Sequence, residues 1–439
     1  MLNKMFSLMA AVVCAAGVSM SVCHAEAGPS RVETSLKDGW RFHRGEADGA
    51  FMPGYDDSGW DKVSVPHDWA ITGPFSIEND LQNVQIVQNM ETKASLKTGR
   101  TGGLPYVGIG WYRTEFSVPD GMTAELLFDG AMSEARVYVN GHEVCFWPYG
   151  YSPFHCDVTP YLNKSGSNVL AVRLENLPFS SRWYPGAGLY RNVHLICTSS
   201  KAHIPVWGTF VSTPSVHKDM ASVSLGISLI SDKENIDIEY HTDIISPEGE
   251  KVASRRSVAL YHKGDSHVQK FLVKEPKLWW PNRYGGQPLY TVNAPLYLDG
   301  ILTDEKEYRI GLRTLTVSRR KDEWGEEFAF CVNGVRIFAK GADYIPEAAI
   351  LSDITAEKIH GLLRTAADCG FNCIRSWGGG YYPTDDFYDF CDENGLVVWQ
   401  DFMFACNIYE LTDEFRENIV AEVKDNVRRL KHHASLGLW

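Results

Sequence analysis

Apolar and polar side chains alternate at every second position over Trp111 to Val118, Ala124 to Phe128, Ala135 to Val139 and Val169 to Glu175. That is the period of a strand buried on one face. Asn140-Gly141 separates the third run from more chain of the same kind, and a two-residue Asn-Gly link is a strong hairpin signal. Short strands with frequent turn signals from Gly28 to about Ser200 predict an all-β sandwich, most simply a jelly roll. The same period returns in Val223 to Ile230, Ile236 to Ile245, Val268 to Val273 and Leu289 to Leu298, with Ser246-Pro247-Glu248-Gly249 as a hairpin turn. A region of this size, from about Lys201 to Ser318, suits an immunoglobulin-like β-sandwich.

Beyond Ser318 the period changes. Val335 to Gly341 reads as a first apolar strand that feeds Ala342 to Pro346, and Ser352 and Thr355 offer N-cap oxygens for a helix through Asp368. Cys373 to Trp377 is the second strand, followed by three glycines. Asp385 to Glu393 is a helix ended by Gly395, Leu396 to Trp399 is a third strand, and Thr412 to His432 is a charged amphipathic helix. Strands alternating with helices predict a parallel sheet. The glycines follow the second strand and lack the spacing of a dinucleotide turn, which favours a (β/α)8 barrel over a doubly wound sheet. Since Ser435 to Trp439 reads as a fourth strand and no further unit follows, residues 319–439 are expected to be the first half of a TIM barrel.

Composition narrows the function. A net charge of -13 argues against a surface that tracks phosphates, so no nucleic-acid partner is expected. Thirteen Trp and 20 Tyr suit stacking on sugar faces, and they suit aromatic sandwich cores as well. Lys4, the apolar stretch Met5 to Met20, and Ala25-Glu26-Ala27 read as a secretory leader over residues 1–27, which predicts an exported protein, periplasmic or secreted. Val22 stands where a lipoprotein would want a small residue before Cys23. No later segment predicts membrane insertion. Cys369 and Cys373 have no second pair or His at zinc spacing and read as buried free thiols, so no metal site is expected. Cys145 and Cys156 could bridge, and sequence alone leaves that open.

Several short motifs, in order, resemble glycoside hydrolase family 2, the group of β-galactosidases, β-glucuronidases and β-mannosidases. Trp60, Val65-Pro66-His67-Asp68-Trp69, Gly110-Trp111-Tyr112-Arg113, Val139-Asn140-Gly141 and the run from Ser181 to Arg191 are similar to the sugar-binding jelly roll of its β-galactosidase branch. Trp279-Trp280-Pro281 and Gly311-Leu312-Arg313 match the family's middle sandwich and its exit. The barrel portion looks more like the β-mannosidase branch: Lys340 to Pro346, with Asp343 and Tyr344 where Asn and Trp are common, Asn372 to Gly380, and Val398 to Cys406. The resemblance implies an exo-acting retaining β-glycosidase, β-mannosidase first and β-galactosidase second, acting on an oligosaccharide or glycoside without a cofactor. The galactosidase-type loop after the second strand and the magnesium ligands of some galactosidases are missing.

Barrel active sites lie at the carboxyl ends of the strands, which is where Asp343, Arg375, Trp377 and Asp401 fall. By the resemblance, Arg375 braces the nucleophilic carboxylate, Trp377 faces the terminal sugar, and Arg182 and Trp183 reach the site from the first domain. Asp343 and Asp401 are candidates for accepting sugar hydroxyls or ordering the pocket. A retaining mechanism needs two carboxyls about 5 to 5.5 Å apart. The resemblance implies that both glutamates would follow Trp439, so these 439 residues are expected to be inactive alone, and a non-catalytic carbohydrate-binding protein is the rival from another class.

Overall fold

The computed structural model describes residues 30–79, 81–98, 108–163, 165–177, 186–407 and 409–439. The expected leader over residues 1–27 lies outside them. No helix among the described residues is long and apolar enough to cross a membrane.

The first unit packs a four-stranded sheet on a six-stranded one. The smaller runs Arg31–Ser35, Val193–Ser199, Met122–Phe128, Phe154–Asp157. The larger runs Asp61–Val63, Trp40–Arg44, Gly108–Phe116, Asn168–Asn176, Ala135–Val139, His142–Trp147. Inward residues of both, among them Trp40, Tyr112, Leu126, Phe128, Phe154 and Leu170, form one buried core. Asn140 and Gly141 both take positive φ, 51° and 88°, as the hairpin signal required. Cys145 and Cys156 form a disulfide that joins the two sheets, since their strands belong to different ones.

A second sandwich follows. Thr209–Val216, Met220–Ser228 and Ser266–Lys274 make one sheet. Lys251–Tyr261, Ile236–Ile245, Tyr290–Leu298 and Ile301–Ile310 make the other. Three of these seven strands lack a clean alternating pattern: Thr209–Val216 contains Pro214, Lys251–Tyr261 is exposed over most of its length, and Ile301–Ile310 carries Asp304, Glu305, Lys306 and Glu307. All three are sheet edges, where proline and exposed charges such as Glu305 keep an unpaired ladder from recruiting another chain, whereas Asp304 is buried against Arg31 of the first sandwich.

The third unit opens with an antiparallel sheet of Leu315–Ser318, Ala329–Val332 and Val335–Arg336. This corrects the expectation that Val335 to Gly341 is the first parallel strand. Asn333 and Gly334, at φ 51° and 79°, turn the chain back so that Val335 pairs with Val332, and the same dipeptide chemistry read at Asn140-Gly141 overrides the apolar run. The parallel sheet begins six residues later: β1 (Gly341–Tyr344), α1 (Ala356–Asp368), β2 (Cys373–Ser376), α2 (Asp385–Asn394), β3 (Val397–Gln400), α3 (Asp413–Leu430) and β4 (Leu436–Leu438). The strands lie in sequential order, each parallel to its neighbour.

The two faces of this sheet differ. Ile374 and Val398 meet Ile359, Leu363, Phe387, Phe390 and Leu430 from the helices. On the opposite face Cys373, Val397 and Leu438 pack on Trp279, Phe330, Val332 and Ile337, contributed by the second sandwich and by the antiparallel strands. Gly341 lets β1 lie close to β2, because a Cβ there would stand 1.9 Å from the Cys373 carbonyl oxygen.

Candidate functional site

Above the apolar floor of Cys373 and Val397 the same face turns polar. Register places Asp343, Arg375, Trp399 and Leu438 in one row across the four strands. Asp401, just past the end of β3, stands beside Arg375. The Arg375 Nε donates to Asp401 Oδ1 at 3.2 Å, and its Nη2 lies 2.7 Å from Oδ2. Its Nη1 reaches Asp343 Oδ1 at 3.3 Å. The guanidinium also lies 5.7 Å from the centre of the Trp399 ring, and burial of the cation is outweighed by the two carboxylates, which raise its pKa.

The residues after β2 form a tight turn, in which the Gly380 N–H donates to the Trp377 carbonyl at 3.0 Å. The half-buried Trp377 ring rests against Gly379, where a Cβ would stand 2.0 Å from it. The structure therefore brings Asp343, Arg375, Trp377 and Asp401 to one end of the parallel sheet. Arg182 and Trp183 lie outside the described residues.

Two supports were not read from the sequence. Gln400 is fully buried; its amide donates to Ser376 Oγ at 3.2 Å and to the Asp401 carbonyl at 2.9 Å, and it accepts from the Tyr388 hydroxyl at 2.6 Å. A polar residue directly after the apolar run Val397 to Trp399 was the available signal. Tyr149, on a first-sandwich loop, donates to the Met403 carbonyl and stacks near Phe404 at 5.6 Å, fastening the loop after β3. A cavity of about 440 Å³ beside that contact is lined by Glu134, Phe146, Tyr409 and Phe415, and by none of the four strand-end residues.

The Val65-Pro66-His67-Asp68-Trp69 motif is a brace for the segment that begins at Ala187. Asp68 Oδ1 accepts from the N–H groups of Ala70 (2.9 Å) and Ala187 (3.2 Å), while burial pushes its pKa up to about 6. Gly188, at φ 99°, passes so close that a Cβ would meet the Tyr112 hydroxyl at 2.2 Å. His67, bonded to that hydroxyl at 2.7 Å, is lowered to about 4 by burial and by Arg44.

Comparison with known proteins agrees with the order of these units. The model of the glycosyl hydrolases family 2 sugar binding domain matches residues 34–199, and that of glycosyl hydrolases family 2 matches residues 202–313. The chain belongs to glycosyl hydrolase family 2. A β-galactosidase of Bacteroides ovatus is 31% identical over 424 residues, covering 93% of this chain and 46% of the relative. A β-mannosidase B of Thermothelomyces thermophilus is 29% identical, covering 93% of this chain and 49% of the relative. Among solved structures, a β-glycosidase from Bacteroides vulgatus superposes with a TM-score of 0.77 at 27% identity, covering 92% of this chain and 49% of that one. A β-D-mannosidase from Dictyoglomus thermophilum gives 0.73 at 25% identity, with coverage of 92% and 51%. The chain thus spans about half the length of the relatives it matches.

Proposed function

We propose that this chain carries the substrate-binding half of an exported, exo-acting, retaining β-glycosidase, and that its parallel sheet is the first half of a (β/α)8 barrel. The observation that carries the reading is the cluster of Asp343, Arg375, Trp377 and Asp401 at the carboxyl ends of consecutive parallel strands, where barrel enzymes place their chemistry. Trp377 offers an apolar ring for the sugar, and carboxylates beside a guanidinium suit hydroxyl recognition.

A neutral sugar fits this site better than a uronic acid. Arg375 already faces two carboxylates, so the trio carries a net negative charge and would repel a third. Among neutral sugars, the Trp377 to Gly380 turn favours a β-mannoside. The β-galactoside reading stays second, supported by the 31% identical β-galactosidase. Asp343 and Asp401 do not serve as acid/base and nucleophile, because both are ion-paired to Arg375 whereas a general acid must hold a proton. Those two carboxyls are assigned to sequence following Trp439.

The test compares aryl β-mannoside, β-galactoside and β-glucuronide turnover by the 439-residue chain and by a polypeptide extended through a full barrel. No turnover by the first and a mannoside preference in the second are expected. Turnover by the shorter chain that Arg375→Ala abolishes would overturn the assignment of the carboxyls, and a clear galactoside preference would overturn the sugar assignment.

A further inference from the structure

We propose that Asp401 is a positioning residue that locks Arg375 and the Trp377 turn in one geometry, leaving Asp343 as the carboxylate that meets the ligand. The two acids look alike in sequence, each just at a strand end, but the structure uses them differently. Asp401 is engaged from two sides. Its Oδ1 accepts from Arg375 Nε, while its Oδ2 takes both Arg375 Nη2 (2.7 Å) and the Gly378 N–H (3.0 Å). The first pair fixes the plane of the guanidinium, since two parallel N–H groups on two oxygens leave it no freedom to rotate. The third fixes the turn.

The turn has little room to answer in any other way. A Cβ on Gly378 would stand 2.6 Å from the Phe402 carbonyl oxygen and 3.2 Å from the Asp401 Cβ, so the backbone lies directly on the strand end that carries the carboxylate. Trp377 leans on the next glycine. One carboxylate therefore sets both the direction of the cation and the height of the aromatic ring, and Gln400 holds the backbone of that carboxylate from below. Asp343 is different: its side chain is 53% exposed, and its contact with Arg375 is a single 3.3 Å bond at Nη1. Its remaining lone pairs face the open side of the sheet, where a hydroxyl can reach them.

Calling the ligand a glycoside rests on the function proposed above; the lock itself does not. It can be read on the 439-residue chain by following the Arg375 Nε–H and the Trp377 indole N–H in ¹⁵N spectra of selectively labelled protein, each signal assigned by its loss in Arg375→Lys or Trp377→Phe. Asp401→Ala should shift both signals and speed exchange of the Arg375 Nε–H at least about tenfold, because a charge-assisted bond is removed. Asp401→Asn separates the two roles: its amide oxygen still accepts from Gly378, so Trp377 stays near its wild-type position, while the uncharged group releases the guanidinium. This variant also covers the case in which Asp401→Ala fails to fold. Asp343→Asn should leave both signals in place and weaken the response of the Trp377 signal to methyl β-D-mannopyranoside.

Unchanged signals in Asp401→Ala, an Asp401→Asn that leaves the Arg375 signal in place, or an Asp343→Asn that disturbs Trp377 as much as Asp401→Ala, would overturn the lock. A wild-type Trp377 signal that ignores methyl β-glycosides would count against the glycosidase reading and leave the lock standing.

Discussion

Trp377 holds its place by leaning on a residue with no side chain, and that makes Gly379 the position of the turn that reports on the ring. Gly379→Ala puts a methyl group where the ring now lies, with no positive φ to add backbone strain, so the ring should move while the fold survives. Circular dichroism should be unchanged and the Trp377 indole signal displaced; an undisturbed ring would show that the turn can absorb the methyl. His432 and His433 show a second single-residue effect, of opposite sign in neighbours. His433 Nδ1 lies 2.8 Å from Asp392 Oδ2, and Asp392 Oδ1 accepts from the Ser435 N–H at 2.7 Å. Burial opposes the charge on both partners, but the pair outweighs it, raising the imidazole and lowering the carboxyl. Asp392 contributes above its ordinary 3.8 and loses this as pH falls through its lower folded value, whereas His433 contributes below 6.5 and loses this as pH rises through its higher one. The pair is therefore worth most between about pH 4 and 6.5, and His433→Ala should cost about 3 to 5 kcal/mol in urea unfolding near pH 6, because it strands a buried carboxylate. His432, held down to about 3 by burial and by the neighbouring cation, works the other way: the unfolded chain takes up its proton below 6.5 and the folded one does not. Acidification to pH 5 should cost about 1 to 2 kcal/mol at this residue. His432→Gln should flatten the acid side of the stability curve, and an unchanged slope would refute the assignment.

The helices of the third unit were legible because their ends are written in side chains. Thr355 Oγ1 accepts from the Lys358 N–H, and Thr412 Oγ1 from the Phe415 N–H at 3.1 Å; Gly395 ends α2 at φ 71°. Thr412→Ala should cost about 1 kcal/mol in thermal unfolding of this unit, and Thr412→Ser should recover most of it. A Thr412→Ala protein as stable as wild type would mean that packing of α3 alone decides its start. Strands were harder to read for a definable reason. Ile236–Ile245 and Ala135–Val139 alternate because each has a neighbour on both sides and one buried face. Edge strands such as Ile301–Ile310 carry charges that break the pattern, and at Val335 the Asn333-Gly334 turn outweighs the apolar run that follows it. At the candidate site, strand-end placement made Asp343, Arg375, Trp377 and Asp401 visible. Their division of labour was not, since which oxygen meets which donor depends on register across two strands.

At the scale of the whole molecule, the parallel sheet is held from behind by the second sandwich. Trp279, fully buried, donates from its indole N–H to the Asp392 carbonyl at 2.7 Å, and Asn282 donates to the carbonyls of Ala367 and Phe371, both at 2.8 Å. Arg313 makes the closest link to β4, donating to the carbonyls of Ala434 (3.0 Å) and Leu436 (2.8 Å). β4 has β3 on one side and no other strand beyond it among the described residues, so a guanidinium covering its first carbonyl, Leu436, and that of Ala434 just before it protects an edge that would otherwise be open. The Gly311-Leu312-Arg313 motif was visible in the sequence, but this work of its arginine was not. Burial lowers the Arg313 pKa to about 10, still far above neutrality, so the cation remains in place through the physiological range. Arg313→Ala should therefore leave both sandwiches folded and loosen the end of the sheet. Hydrogen exchange should quicken by about tenfold or more over residues 434–438, in line with loss of bonds to a charged donor, while Ile236–Ile245 and Asn168–Asn176 stay as protected as before. Arg313→Lys should rescue little, because an ammonium cannot span two carbonyls as the planar fork does. Equal exchange in Arg313→Ala and wild type across residues 434–438 would show that β3 alone holds β4, and that the second sandwich does not brace the sheet through this side chain.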